Sequence, residues 1–178
     1  LAHRFGAKVY VAMNTLLYEQ ELADAERIAC RMWNAGADAL IVQDMAFLRM
    51  ELPPVELHAS TQVCNTDPQR VRFLSEAGFT RVILERALSL GEIGRLSRAA
   101  DVEIETFVHG AICVSYSGRC YMSRTMGPRS GNRGDCSQSC RLPYDLLDER
   151  MRPLERNRHL LSLQDMNATG QIEELIGA

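Results

Sequence analysis

Short apolar and β-branched segments alternate along the chain with segments of helical periodicity. The helical segments repeat apolar residues every three or four positions and cover Glu19–Ala35, Asp67–Ala77 and Ser89–Ala99. Gly36 and Gly78 mark the ends of the first two, and Ser89 with Glu92 forms a capping-box signal for the third. The strand-like segments are Lys8–Asn14, Ala39–Asp44, Val55–Gln62, Arg81–Arg86, Val102–His109 and Leu160–Asp165. This alternation predicts an α/β fold with a parallel sheet.

Two α/β architectures compete, an open doubly wound sheet and a (β/α)8 TIM-like barrel. Val102–His109 alternates an apolar face with a mixed face, as a barrel strand does, and no Gly-x-Gly-x-x-Gly motif follows any strand. A barrel needs about 250 residues and eight strands. We therefore expect an incomplete barrel of about six βα units, with a smaller open sheet as the alternative. The chain would be one partial domain, 1–178, a fragment lacking at least one unit at each end, with a cysteine-rich insertion at about 110–158.

Charge is distributed unevenly along the 178 residues, although the net charge is only −3. Residues 1–112 carry a net of −4, whereas 113–158 carry nine arginines against five acids, a net of +4. Arginine forks suit phosphate and carboxylate groups, but a genome-wide arginine bias would give the same composition. No apolar run approaches the ~20 residues of a membrane span. Without a leader pattern the expectation is a cytoplasmic protein, with neither membrane nor DNA as a partner.

Four of the six cysteines lie within 28 residues, as Cys113-x6-Cys120-x15-Cys136-x3-Cys140. Thiols in a reducing compartment bind metals more often than they form disulfides. Structural zinc sites usually place about two to four residues between paired thiols, and only Cys136 and Cys140 satisfy this. Iron–sulfur clusters tolerate looser loops, since the cluster itself determines where the sulfurs sit. The spacing favours iron–sulfur and leaves zinc and unligated redox thiols open.

Polar residues close nearly every predicted strand, which is where a barrel places its active face. The residues expected to ring a cavity there are Asn14, Asp44, His58, Gln62, Arg86, His109 and Asp165, with Ser60 beside Gln62. Glu105 and His109 face the same side of one strand and are candidates for proton transfer, because histidine titrates near neutrality. Asn132, Arg133 and Arg141 lie among the cysteines and suit an anionic substrate, or simply loop hydrogen bonding.

The segment from Glu105-Thr106-Phe107-Val108-His109 through Cys113 and on to Ser117-Gly118-Arg119-Cys120 resembles the signature of the peptidase U32, or collagenase-like, family. The resemblance continues in Asn132–Arg141, Val9–Asn14 and Ser60–Gln62, so it covers essentially the whole chain. It implies a barrel-like catalytic domain that begins before Leu1 and continues past Ala178.

The resemblance also implies chemistry. Some family members are described as collagen-degrading peptidases. Others are oxygen-independent hydroxylases with a [4Fe–4S] cluster on four cysteines, acting on a tRNA uridine, a 23S rRNA cytidine or the ubiquinone ring, with prephenate as hydroxyl donor for the RNA members. Cys140–Leu146 looks closest to the RNA-directed group, nearer its ribosomal branch. Two departures are Ala87, where the family usually has Glu, and Gln164, where it usually has Lys.

We therefore expect an iron–sulfur RNA hydroxylase, with a U32 peptidase as the alternative and a metal-stabilised RNA-binding module as the second alternative. The cluster would use Cys113, Cys120, Cys136 and Cys140. Arg86 and Arg133 would hold the donor's carboxylate, since a guanidinium fork matches a carboxylate. Arg86 and Asp165 are the catalytic residues that the resemblance transfers. Arg119, Arg124 and Arg129 would follow the RNA backbone.

Overall fold

The computed structural model describes residues 1–99 and 101–178 and contains one main sheet of five parallel strands. The strands are β1 Tyr10–Met13, β2 Ala39–Val42, β3 Glu56–Ala59, β4 Arg81–Ile83 and β5 Glu103–Glu105. They pair in chain order, β1-β2-β3-β4-β5. Register is continuous across the sheet: Ala12 lies opposite Ile41, Ile41 opposite His58, and His58 opposite Arg81.

The helices follow the predicted segments and are shorter at their ends. The α-helices are α1 Leu22–Asn34, α2 Pro68–Glu76, α3 Leu90–Ser97, α4 Met122–Met126 and α5 Ile172–Ile176. Single-turn 3-10 helices occur at Ala2–Phe5, Glu19–Glu21, Met45–Arg49, Thr61–Val63, Gly131–Arg133, Ser139–Arg141 and Thr169–Gln171. The predicted caps are confirmed: Asp67 accepts from Arg70 N at 2.9 Å, and Ser89 and Glu92 form the capping box.

The two faces of the sheet differ, as the alternation within the strands predicts. One face packs against α1, α2 and α3 through a buried cluster that includes Leu40, Val42, Ala59, Val82 and Leu84. The opposite face carries the alternate positions, and on it Arg81 binds Glu103 at 2.5 Å and Glu105 at 3.1 Å. Arg81 also lies 5.0 Å from the centre of the Tyr10 ring. A polar network therefore covers the helix-free face.

Sequential strand order argues against one of the two predicted architectures. A doubly wound sheet reverses its order at a switch point, whereas here each strand lies beside its chain neighbour. With right-handed crossovers, this order puts the connecting helices on one face. The doubly wound alternative is therefore wrong for this sheet, and the α/β prediction with a parallel sheet is confirmed.

The sixth predicted strand, Leu160–Asp165, is wrong. Residues just after it form β9, Met166–Asn167, which pairs antiparallel with β6, His109–Gly110, outside the main sheet. The predicted strand Val102–His109 is correspondingly divided, because β5 ends at Glu105 and the chain resumes pairing only at His109. Five βα strands, instead of six, therefore make up the sheet of the described residues.

The segment between β6 and β9 contains α4 and an exposed antiparallel hairpin, β7 Tyr144–Leu147 and β8 Pro153–Arg158. Its loops carry all four clustered cysteines. Among the helices described, none combines the length and the apolar character needed to cross a bilayer.

Candidate active site at the cysteine loops

Residues 113–120, here called the first cysteine loop, rest on the carboxyl end of the sheet. Glu85, two residues after β4, is 4% exposed and accepts three hydrogen bonds. Its donors are Ser117 N at 2.8 Å, Ser117 Oγ at 3.2 Å and Arg86 N at 3.0 Å. Since Ser117 lies between Cys113 and Cys120, this contact attaches the loop to the end of β4.

Gly118 provides the second attachment of the first cysteine loop. Its backbone has φ +73°, and a Cβ built on it would lie 1.8 Å from the carbonyl oxygen of Gln62. Only glycine allows so close an approach in this left-handed conformation. The nearest side chain at the same place is Gln43, whose Nε2 would be 3.3 Å from that Cβ. The loop therefore covers the ends of β2, β3 and β4.

Residues 131–141, the second cysteine loop, surround the Cys136 thiol with hydrogen-bond donors. Gln138 N donates to Cys136 Sγ at 3.4 Å, and Ser123 Oγ lies 3.8 Å from it. Ser123 also accepts from Ser137 N at 3.1 Å. Hydrogen-bond donors directed at a cysteine sulfur adjust the reduction potential of an iron–sulfur cluster bound to it.

Cys113 lies within electrostatic reach of other groups of the site. Burial raises the pKa of the Cys113 thiol; the Arg86 guanidinium opposes this, and Cys140, Glu85 and Cys136 add to it. The Arg86 guanidinium carbon lies 4.1 Å from the centre of the Phe107 ring, and Arg86 forms no salt bridge with any described residue. A cation without a carboxylate partner therefore lies near the cysteines.

The four clustered cysteines have the chemistry of a donor set for a metal centre. All of them are free thiols, at exposed or half-buried positions. Within residues 1–99 and 101–178, no three His, Cys, Asp or Glu side chains converge closely enough for a single metal ion. An iron–sulfur cluster separates its thiolates more widely, because each cysteine binds a different iron in a [4Fe–4S] centre. The soft donors, the placement of Cys113 near Cys136 and Cys140, and the donors to Cys136 fit such a cluster.

A cavity of about 480 Å³ lies beside Cys113. Its lining residues are Glu85, Ala87, Ile112, Cys113, Val114, Ser115, Tyr116 and Leu163. None of the seven residues predicted to ring a cavity lines this one. This cavity is therefore lined by the β4 end, the first cysteine loop and Leu163, and the ring of strand-end residues stays a prediction.

Three predicted substrate-binding residues meet near the first cysteine loop. Asn14 Nδ2 donates to Ser60 Oγ at 3.4 Å, and Gln62 N donates to the same oxygen at 3.2 Å. Ser60 is 1% exposed. Asp44 has a different role, because its carboxylate accepts from Leu17 N at 2.8 Å and Ala46 N at 2.9 Å and so caps a turn. These contacts brace the strand ends.

Arg133 and Asn132 connect the second cysteine loop to the segment between β1 and α1. Arg133 Nη1 and Nη2 donate to the two carboxylate oxygens of Glu21 at 2.7 and 2.5 Å, and Leu16 N donates to Asn132 O at 3.0 Å. The guanidinium also lies over the Tyr18 ring at 4.2 Å. The expected role of Arg133 in holding a substrate carboxylate is not supported, since its fork already binds Glu21.

The Arg141 guanidinium also forms its hydrogen bonds within the protein. Its Nη2 donates to Ile112 O at 2.8 Å, and its Nη1 donates to Leu163 O at 2.6 Å and Ser162 Oγ at 3.0 Å. Arg141 therefore connects three segments next to Cys113 and Cys140, which differs from its predicted contact with an anionic substrate.

The proposed proton-transfer pair is separated. Glu105 binds Arg81 on the helix-free face, whereas His109 is exposed in the β6–β9 ladder, because the strand stops before His109. His58 is fully buried, packs edge-on to Tyr10 at 4.7 Å and lies 3.5 Å from Glu56. Burial lowers the pKa of His58. Asp165 is exposed just before β9. Glu105 and His58 thus belong to the Arg81 network.

Several residues of the site were not predicted. Glu85, Ser117 and Gly118 hold the first cysteine loop, and buried Asn65 donates to Ser60 O at 2.9 Å and Ile83 O at 2.8 Å, bracing β3 against β4. A signal was available for two of them, because Glu85 lies at the end of a buried apolar segment and Gly118 lies in a Ser-Gly turn between cysteines. The sequence contains no local mark for Asn65.

Relatives of the chain have names that refer to RNA hydroxylation and to proteolysis. The chain is 49% identical over 177 residues to the 23S rRNA 5-hydroxycytidine C2501 synthase of Escherichia coli (strain K12), covering 99% of this chain and 27% of that protein. It is 40% identical over 148 residues to tRNA hydroxylation protein P1 of Bacillus subtilis (strain 168), covering 82% and 35%. Collagenase of Porphyromonas gingivalis (strain ATCC BAA-308 / W83) is 29% identical over 188 residues, covering 97% and 45%.

A solved structure supports the fold. The U32 peptidase Mk0906 superposes with a TM-score of 0.50 at 17% identity, over 62% of this chain and 49% of that one. The chain spans between about a quarter and a half of the length of each of these proteins. The model of peptidase family U32 matches residues 1–178 in full, and the chain therefore belongs to the U32 family.

Proposed function

We propose that this chain is the cluster-binding part of an oxygen-independent RNA hydroxylase, acting on a cytidine of 23S ribosomal RNA or, alternatively, on a tRNA uridine. The observation that carries the proposal is a set of four free thiols in loops held at the strand ends, where Cys113 and Glu85 line one cavity and Arg86 has no carboxylate partner among the described residues. Support comes from the relatives whose names specify rRNA and tRNA hydroxylation, at 49% and 40% identity. Because the chain spans only part of those proteins, the substrate is an inference.

In this proposal, Cys113, Cys120, Cys136 and Cys140 hold one [4Fe–4S] cluster. When bound, the cluster supplies one-electron chemistry that no side chain in the site can provide. The protein's contribution is to position the thiols on the strand ends, through Glu85 and Gly118, and to direct N–H and O–H donors at Cys136. We also propose that the five-stranded sheet is an arc of a (β/α)8 barrel, in which such strand ends form the active face.

Arg86 is the proposed holder of the hydroxyl donor. Converting a base C–H into C–OH needs a donor that loses its hydroxyl and gains the hydrogen, so that atoms and electrons balance. A carboxylate-bearing donor such as prephenate suits a guanidinium whose fork has no carboxylate partner, and Arg86 has none among the described residues. Stacking on Phe107 at 4.1 Å orients the guanidinium plane.

The RNA would lie across the arginine-rich cysteine loops. Arg119 and Arg124 are exposed, and no salt bridge of the described residues includes them. Arg129 differs, because its Nε donates to Asp135 at 2.7 Å. Tyr116 and Tyr121 in the same region are 59% and 65% exposed, which suits stacking on unpaired bases. RNA and reduced thiols both point to the cytoplasm as the compartment of action.

The peptidase alternative finds less support in the site. A serine or cysteine protease needs its nucleophile hydrogen-bonded to a base. Ser117 Oγ is buried and donates to Glu85, and among the described residues no histidine hydrogen-bonds to a serine or cysteine. The second alternative, a non-catalytic RNA-binding module, does not account for the cavity beside Cys113, since RNA binding alone needs no cavity for a small co-substrate.

The test uses the full-length protein purified without oxygen. A strain lacking it is complemented with the wild type or with Arg86→Gln, and nucleosides from ribosomal RNA and tRNA are analysed by mass spectrometry. We expect one hydroxylated pyrimidine to disappear in the deletion and to return only with the wild type. Unchanged nucleosides, together with cleavage of a collagen-like peptide by the purified protein, would establish the peptidase.

A further inference from the structure

We propose that Glu85 is a positioning residue for the first cysteine loop, whose carboxylate holds Ser117 so that Cys113 and Cys120 are presented from the end of β4. The inference rests on the proposed function only in naming an iron–sulfur cluster as the group that the loop binds. The attachment of the loop by Glu85 does not depend on which group the thiols bind.

Among the described residues, three hydrogen-bond donors and no acceptor converge on the Glu85 carboxylate. Ser117 N meets one carboxylate oxygen at 2.8 Å, while Ser117 Oγ and Arg86 N meet the other at 3.2 and 3.0 Å. A carboxylate accepts at both oxygens, which is what this arrangement requires. A glutamine in either orientation would direct its own NH2 group at one of the backbone N–H donors. The site therefore selects for a carboxylate, and not merely for a polar side chain of this length.

Glu85 is also held without a cationic partner. It is 4% exposed, and none of the salt bridges in residues 1–99 and 101–178 includes it. A buried carboxylate is costly unless its hydrogen bonds are complete, so its contacts with the loop have to stay formed. Removing the carboxylate would leave Ser117 N without its acceptor in a buried position.

The position of Ser117 explains why this contact matters for the thiols. It lies four residues after Cys113 and three before Cys120, and the next residue, Gly118, packs directly on the Gln62 carbonyl. Glu85 and Cys113 line the same cavity. Fixing the middle of the loop at these two adjacent residues restricts where both thiols can lie relative to β4.

The chain offers a matched control for this contact. Glu92 accepts from Ser89 N at 2.8 Å and from Ser89 Oγ at 2.6 Å. Glu85 likewise accepts from the backbone N–H and the hydroxyl of one serine, Ser117. Glu92 does so in the exposed capping box of α3, outside the cysteine loops. Comparing Glu85→Gln with Glu92→Gln therefore separates the location of the contact from the chemistry of the substitution.

The experiment measures two quantities in the full-length protein. Hydrogen exchange of the peptide covering residues 113–120 reports the attachment of the loop in metal-free protein. The rate at which a chelator removes iron from anaerobically purified protein reports how firmly the cluster is held. For Glu85→Gln we expect exchange and iron release each to be about tenfold faster, the size of one lost buried hydrogen bond. Glu92→Gln should match the wild type in both.

Two further variants guard against a simple folding defect. Ser117→Ala removes only the hydroxyl contact and should give a smaller change in the same direction, whereas Glu85→Asp should retain part of the protection. Wild-type exchange across residues 113–120 in both Glu85→Gln and Ser117→Ala would overturn the inference. If the wild type binds no iron but Glu85→Gln still releases the loop, the proposed cluster is wrong and the attachment by Glu85 stands.

Discussion

Arg133 of the second cysteine loop forms a two-nitrogen ion pair with Glu21, at 2.7 and 2.5 Å, across 112 residues of chain. The pair connects the cysteine region to the start of α1, and the guanidinium lies over Tyr18 at 4.2 Å. An arginine that sequence alone favours as a substrate contact is therefore part of the scaffold of the loop.

This pair predicts a specific acid sensitivity. The hydrogen bond from Arg133 lowers the pKa of Glu21 from its usual 4.5 to about 2. A carboxyl group whose folded pKa is depressed contributes stability above its unfolded pKa and loses it as the pH falls toward the folded value. Stability should therefore decline between about pH 4.5 and 2. An NMR titration should find the pKa of Glu21 near 2 in the wild type and clearly higher in Arg133→Gln, although still lowered by the hydrogen bond from Tyr18 N; equal values in both proteins would contradict the pairing.

The second prediction separates donor binding from RNA binding at Arg86. Arg86→Gln should lower kcat/KM for the donor by roughly 100-fold, since a charged hydrogen bond to a carboxylate is lost. RNA affinity should stay within about twofold of the wild type, because Arg86 lies at the β4 end, apart from the exposed arginines. Gel-shift titrations and single-turnover hydroxylation measure the two effects. A parallel loss of RNA affinity would place Arg86 on the RNA surface.

The third prediction concerns the four clustered cysteines. Anaerobically purified full-length protein should contain about four irons per polypeptide chain, and Cys→Ala at position 113, 120, 136 or 140 should abolish or sharply reduce this content. Cys30→Ala is the matched control, since Cys30 is a half-buried thiol of α1. Iron assays and visible absorption spectra measure the outcome. Stoichiometric zinc without iron in the wild type would refute the cluster.

The fourth prediction concerns the exposed arginines. Replacing Arg119 and Arg124 together by Gln should reduce the slope of log K against log salt by about 1.4, at about 0.7 per phosphate contact on single-stranded RNA. Arg129→Gln should change it less, because Arg129 is paired with Asp135. The charge-matched control replaces exposed Arg31 and Arg72 of α1 and α2. Fluorescence-anisotropy titrations over a salt series provide the slopes, and equal slopes for all variants would exclude this surface.

The fifth prediction tests the close approach of Gly118 to Gln62. Gly118→Ala should destabilise the protein and loosen the first cysteine loop, because its Cβ would lie 1.8 Å from a carbonyl oxygen. Gly6→Ala is the control, since Gly6 has a similar φ of +70° and a Cβ at that position would meet nothing within 4 Å. The same backbone strain with no clash should cost only about 1 kcal/mol. Thermal unfolding curves of the two variants measure the difference, and Gly118→Ala should lower Tm by more than Gly6→Ala does. Equal shifts in Tm would contradict the proposed contact.

By itself, the sequence determined the features that depend on local periodicity and local hydrogen bonds. The alternation of apolar segments predicted the parallel α/β fold, and the caps at Asp67 and at Ser89 with Glu92 began their helices as expected. The cysteine signature was sufficient to identify the U32 family. Periodicity and helix caps depend only on residues a few positions apart, and the family signature is a continuous motif that can be read directly from the sequence.

Only the tertiary structure decided which polar side chains meet. It joined Glu85 to Ser117 and Glu21 to Arg133, and it separated Glu105 from His109 by ending β5 before the histidine. It also left the predicted sixth strand, Leu160–Asp165, without strand pairing, and paired the residues just after it with His109 and Gly110, outside the main sheet. The physical reason is that a carboxylate or guanidinium pairs with whichever partner the packed chain brings within about 3 Å. That proximity is a property of how distant segments cross, and no local pattern of residues encodes it.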